Sequence, residues 1–127
     1  MGMFDTFKFG IPLYCPLCGN KHEDIQCKEY SNTLAYYQIG DIVLDVNDKY
    51  KGNEIREEDL ICFDENDYGT TCKDIQKSLF RNDHTWRYPI YFYIVIKDYK
   101  YIGVMPSLYL AEKLIGLEED EYYLNRG

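Results

Sequence analysis

No stretch of the chain stays apolar long enough to cross a bilayer. The longest run, Ile90-Tyr91-Phe92-Tyr93-Ile94-Val95-Ile96, has the length of a strand, whereas a spanning helix needs about 20 apolar residues. Met1-Gly2-Met3-Phe4-Asp5 offers no basic region leading into an apolar core, so no secretory signal is expected. Met1-Gly2 followed by Thr6 is a poor context for myristoylation. Basic residues are scarce: 14 Lys and Arg stand against 22 Asp and Glu, a formal charge of -8 and a pI near 4.7. That balance disfavours direct binding to nucleic-acid backbones, which requires clustered cations, and to anionic membranes. A Walker loop, a Gly-x-Gly-x-x-Gly turn and a Gly-x-Ser-x-Gly elbow are all missing. Histidine occurs twice, and no Ser or Cys nucleophile is visibly paired with either copy; His84, beside Asp83 and Trp86, reads as part of a polar loop. There is no repeat and no Pro/Gly/Ser linker, so residues 1–127 are expected to form a single domain. Five cysteines, an odd number without an export signal, argue against a disulfide framework. They point to a cytoplasmic protein whose thiols are metal ligands or buried side chains.

What is present is a strand-rich pattern. Residues 3–9 alternate apolar and polar, the period of a half-buried strand, with Gly10 and Pro12 as its expected end. Ile25–Lys28 reads as a short return strand. Leu34–Ile39 and Ile42–Val46, with Gly40-Asp41 between them, read as a hairpin or as one bulged strand. Asn47-Asp48-Lys49 and Lys51-Gly52-Asn53 are turn signals, Leu60–Phe63 a short strand, and Asp74–Leu79 a helical turn. The clearest element is a hairpin from Ile90 to Met105, turned by Lys97-Asp98-Tyr99-Lys100. Ile90, Phe92, Ile94 and Ile96 occupy one face of its first strand, and Tyr91, Tyr93 and Val95 the other. Two apolar faces predict a central strand. Pro106 stops the return strand and Ser107 caps a helix. Leu108, Ala111, Leu114 and Ile115 form the helix's apolar stripe, and Gly116 ends it. The expected fold is α+β: an antiparallel sheet with a zinc-knuckle-like turn and one C-terminal helix packed on the sheet.

Cys15-Pro16-Leu17-Cys18-Gly19 is the most specific motif. Two thiolates three residues apart on a tight turn face one ion, Pro16 stiffens the turn, and Gly19 permits the positive φ that aims amides at the sulfurs. This is half of a tetrahedral site. Cys27, Cys62, Cys72, His22 and His84 are the candidates to complete it. His22 is near in sequence, Cys72 lies in a polar, turn-like stretch, and Cys62, between Ile61 and Phe63, reads as core. A structural zinc held by Cys15, Cys18, Cys72 and His22 competes with an empty turn that has kept its shape, and with a redox dithiol. The last requires a helix starting at the motif, which Pro16 and Gly19-Asn20 oppose. Met3-Phe4-Asp5, the Cys-Pro-Leu-Cys-Gly turn, Gln26-Cys27-Lys28 and the later Ile94–Asp98 and Tyr101–Val104 segments resemble small bacterial and phage proteins of unassigned activity. In those proteins a zinc-ribbon-like Cys-Pro-x-Cys-Gly knuckle follows an initial Met-Phe-Asp. The resemblance covers about two thirds of the chain. It implies a zinc-ribbon-like origin and an accessory phage or prophage protein, and it implies no activity. The second cysteine pair usual in such proteins is reduced here to Cys72.

Acid is concentrated in residues 54–67, which carry seven carboxylates against one base, Arg56. Turn signals flank this segment, so most of these side chains are expected in solvent, with Glu57, Glu58, Asp59, Asp64, Glu65 and Asp67 as an interaction surface for a basic protein partner. Asp64-Glu65-Asn66-Asp67-Tyr68-Gly69 lacks the spacing of a calcium loop. The 14 tyrosines suit recognition surfaces, although an AT-rich genome also codes freely for them. Three readings follow: a non-enzymatic protein-interaction module with a structural knuckle, an acidic inhibitor or nucleic-acid mimic acting on an enzyme's basic groove, and a small metal-dependent hydrolase. A large exposed apolar patch favours the first, a continuous negative face the second, and carboxylates gathered around an open metal the third.

Overall fold

The computed structural model describes residues 5–15, 19–27, 30, 34–60 and 90–126, with only the backbone at 59, 60 and 90. Strand β1 (Asp5–Tyr14) pairs antiparallel with β2 (Lys21–Cys27) and parallel with the two-residue β3 (Tyr36–Tyr37). A second sheet has the order β6-β5-β4-β7. Here β4 (Glu54–Leu60), β5 (Ile90–Lys97) and β6 (Lys100–Met105) are antiparallel neighbours, and β7 (Tyr123–Asn125) lies parallel to β4. Helix α1 (Leu108–Ile115) lies against β5 and β6. The α+β class is as expected. In place of one antiparallel sheet, however, there are two sheets, each with a parallel edge pair.

Three layers follow from the side-chain alternation of β5. Phe92, Ile94 and Ile96 point toward the small sheet, into a core they share with Phe7, Phe9, Ile25 and Tyr101. Val95 points the other way, onto Ile55, Ala111 and Ile115 beneath the helix. Both faces of β5 are covered and strands flank it on both sides, as its two apolar faces predict. Edge-to-face rings (Phe7 with Tyr101, 5.0 Å; Phe9 with Phe92, 5.7 Å) and a hydrogen bond from the Tyr101 hydroxyl to the Lys8 carbonyl (2.6 Å) tie the sheets together. The helix begins and ends where its sequence says: the Ser107 side chain accepts from the Leu110 amide at 3.3 Å, and Gly116 takes the left-handed conformation.

Three expectations are corrected. First, β1 does not stop at Gly10 but runs on to Tyr14. Gly10 takes φ +82°, and the β1–β2 register shifts between Lys8 and Leu13. Pro12 falls inside that irregularity, where its missing N–H breaks no ladder bond. Second, residues 34–46 form neither a hairpin nor one bulged strand. Tyr36–Tyr37 joins β1, whereas the backbone of 40–43 binds the outer edge of β6, through Gly40 N–H to Tyr101 O (2.7 Å), Tyr101 N–H to Asp41 O (2.9 Å) and Val43 N–H to Tyr99 O (2.7 Å). The segment bridges the free edges of both sheets, bonding outward to them around a local turn in which the Asp41 N–H donates to the Gln38 carbonyl (2.9 Å). Third, the start of the acidic segment is strand β4, flanked by β5 and β7, and Glu54 is only 3% exposed. The turn at Lys51-Gly52-Asn53 is present, with Lys51 and Gly52 both at positive φ. The proposed helical turn at 74–79 and the Phe63 end of the 60–63 strand lie outside the described residues.

Candidate functional site

The cysteine turn closes the β1–β2 hairpin. The Cys15 N–H donates to the Asn20 carbonyl (2.9 Å), the Gly19 N–H donates to the Cys15 carbonyl (2.9 Å), and Gly19 takes φ +75°. At the described ends of the motif, Cys15 and Gly19 are therefore held together by backbone hydrogen bonds, with Gly19 in the left-handed conformation; residues 16–18 lie outside the described residues. Cys15 is buried, and His22, opposite Leu13 in the ladder, stands at the same end of the hairpin. Cys27 pairs with Asp5 at the far end, which separates it from Cys15 by the length of β2 and removes it from the ligand candidates. Cys18, Cys62, Cys72 and His84 lie outside the described residues, and among the described residues no three ligand-type side chains converge. Of the four expected ligands, the described residues include Cys15 and His22, both at this end of the hairpin.

The described carboxylates of β4 are drawn inward, on both faces of the strand. Toward the small sheet, Glu54 accepts from the buried Tyr30 hydroxyl (2.5 Å), and Glu58 pairs with Arg56 Nε at 2.8 Å. On the other face Glu57 accepts from the Tyr93 hydroxyl (3.1 Å) and faces Arg126 at 3.6 Å. Burial pushes the Tyr30 hydroxyl well above the tyrosine range, and Glu54 beside it adds to the shift. Burial alone would lower the Arg56 guanidinium, but neighbouring Cys27 and Glu58 outweigh it and leave the group raised. Glu57 and Glu58 are half-buried and partnered; Asp64, Glu65 and Asp67 lie outside the described residues, as does the side chain of Asp59. Nothing in the spacing of Glu54-Ile55-Arg56-Glu57-Glu58 marks it as an inner strand, because its partners Tyr30, Tyr93 and Arg126 are remote in sequence.

Apolar side chains gather instead where the sequence reading placed strands. Tyr37 stacks on Phe7 in the core (4.9 Å), so Tyr36 faces outward, with the Lys8 ammonium 5.7 Å from its ring centre. Ile39 lies over the bare backbone of Gly10, where a β-carbon would come within 2.8 Å of its Cδ1. Val43 enters the core, so its neighbours Ile42 and Leu44 face out. The outcome is a run of exposed apolar side chains along 36–44, with Tyr36 on the outer side of the small sheet and Ile42 at the edge of β6, across from Lys100. In it Tyr36, Ile39, Ile42 and Leu44 are 68%, 52%, 60% and 72% exposed. The sequence signal for it was an excess: 34–46 carries more apolar residues than a half-buried strand can cover.

No protein-family model, curated protein or solved structure matches the chain. No helix among the described residues is long and apolar enough to cross a membrane.

Proposed function

We propose that the protein is a non-enzymatic protein-interaction module that binds its partner through the outer strip of Tyr36, Ile39, Ile42 and Leu44. The observation that carries this reading is the strip itself. Four large apolar side chains within nine residues of chain are more than half exposed along a segment whose backbone bonds to both sheets. Exposed large apolar side chains this dense along one short segment cost solubility unless something covers them, unlike scattered single residues such as Tyr91 or Tyr109. The acidic-inhibitor reading draws less support, because Glu54, Glu57 and Glu58 are engaged within the fold. The cysteine turn is then structural: zinc held by Cys15 and Cys18, with His22 and Cys72 to complete the site, would lock the end of the hairpin. Buried thiols at Cys15 and Cys27 suit a reducing, cytoplasmic setting, and an accessory phage or prophage role agrees with the resemblance of the knuckle.

The test is affinity purification from the native host, followed by the same experiment with Tyr36→Ser/Ile42→Ser/Leu44→Ser and with Glu119→Gln/Asp120→Asn. Specific association should vanish in the first variant, with melting temperature little changed, and persist in the second. Association that survives the strip variant undiminished contradicts the reading.

A further inference from the structure

Residues 34–46 are held differently at their two ends. At 40–43 the backbone hydrogen bonds to Tyr99 and Tyr101 fix the chain to β6, and Val43 and Val46 are buried. From Leu34 to Gly40 no side chain is buried: Ala35 and Tyr37 are half-buried and the others exposed. This end reaches β1 through the two-residue pairing of β3, the Thr6 N–H to the Ala35 carbonyl (2.8 Å), the Ala35 N–H to the Asp5 carboxylate (3.1 Å) and the stack of Tyr37 on Phe7. Left-handed backbone marks both limits of the lightly held part. Gly40 takes φ +100°, which glycine adopts freely, but Leu34 takes φ +61°, where a β-carbon crowds the following carbonyl oxygen. Leu34 is 54% exposed, so packing offsets little of that crowding. We infer that residues 35–39 form a strained strap that lifts from the edge of β1 while the rest of the fold stays intact, with Leu34 and Gly40 as its hinges. Lifting lets Leu34 return to ordinary backbone angles, bares the Thr6 N–H and uncovers the ring of Phe7. Tyr36 and Ile39 travel with the strap, whereas Ile42 and Leu44, on either side of the anchored Val43, stay at β6. The exposed segment thus has a fixed half and a movable half, and a partner that grips Tyr36 with the strap seated selects the closed form. This rests on the interaction reading above and adds a conformational device to it.

Native-state hydrogen exchange on the full-length protein, with no partner added, tests the strap at two adjacent amides. The Thr6 N–H faces β3 and the Phe7 N–H faces β2, because successive amides of a strand point to opposite edges. Protection at Thr6 should be roughly a hundredfold or more below that at Phe7, as for an opening confined to one segment. Below the unfolding transition, exchange at Thr6 should barely respond to urea, whereas exchange at Phe7 should accelerate along the slope of global unfolding. Leu34→Asn, which accommodates left-handed backbone, should slow exchange at Thr6 roughly fivefold or more, since a strap without strain opens less often. Leu44→Asn, the same change in the fixed half, should alter exchange at Thr6 by less than about twofold. Both positions are exposed, so both variants are expected to fold. Equal protection at Thr6 and Phe7, with one shared urea slope, overturns the strap, because the segment then opens only with the whole fold. Exchange at Thr6 that Leu34→Asn leaves unchanged, or that Leu44→Asn slows as much, overturns Leu34 as a strained hinge. Either result leaves the interaction reading standing. That reading fails separately, if the host partner is retained after loss of Tyr36, Ile42 and Leu44.

Discussion

Tyr30, Glu54, Arg56 and Glu58 show how single side chains hold acid inside this fold. A carboxylate moved out of water is costly unless donors replace its hydration. Tyr30 supplies one to Glu54 and Arg56 one to Glu58. Glu58→Gln should therefore lower stability by about 1–3 kcal/mol, the loss of a charge-assisted bond to a buried guanidinium. Glu119→Gln, on an exposed turn, should stay within ~0.5 kcal/mol. Denaturant melts of the two variants decide it, and equal values would mean that the Arg56 pair contributes nothing. Tyrosine also sets the alkaline limit. Burial raises the ionisation of Tyr30, with Glu54 adding to it, and burial raises Tyr101 as well. Above about pH 10 the unfolded chain has released these protons while the folded chain retains them, so the folded state binds more and stability falls as pH rises. Unfolding midpoints should hold steady up to about pH 9 and decline beyond about pH 10, less steeply in Tyr30→Phe. A flat profile through that range would show these hydroxyls to be unperturbed. None of these partnerships was legible beforehand, since each joins residues whose proximity only the fold creates.

At the scale of elements, legibility followed how far a pattern decides its own structure. The β5–β6 hairpin and α1 carry complete local instructions: two apolar faces, a four-residue connection whose Asp98 and Tyr99 take positive φ, a serine cap and a glycine stop. Ser107→Ala should cost about 1 kcal/mol. Ile94→Ala, in the fully buried centre of β5, should cost roughly 2–5 kcal/mol, where a loss below about 1 kcal/mol would contradict a two-sided core strand. Residues 34–46 and 54–60 were misread because their backbone partners are edges supplied by other elements: β1 and β6 for the first, β5 and β7 for the second. Gly10 and Pro12 were read as stops when an irregularity in the ladder absorbs both. The cysteine turn sits between these cases. Its ends, Cys15 and Gly19–Asn20, close the β1–β2 hairpin, and its metal is decided by measurement. Purified protein should carry about one Zn²⁺ per chain, and chelation or Cys15→Ser should lower its melting temperature, since metal binding energy is then folding energy. Metal-free protein with a melt unchanged by chelator would mean that the turn holds its shape unaided.

For the whole molecule, the sequence conveyed an acidic α+β protein, with a tyrosine-rich strand surface and the carboxylates of 54–67 as its expected interaction surfaces. In the fold, the described part of that segment becomes an inner strand, and the exposed apolar side chains collect where 36–44 crosses from one sheet to the other. The strip belongs to neither sheet alone, so it can be seen only once both are assembled. The most direct measurement replaces Ile42, and in a control Glu119, with a photo-reactive amino acid in the native host. With the probe at 42, irradiation should yield a discrete adduct between this chain and another protein, absent with the probe at 119. Adducts of equal yield from both positions, or none beyond background from 42, would contradict the strip as the binding surface.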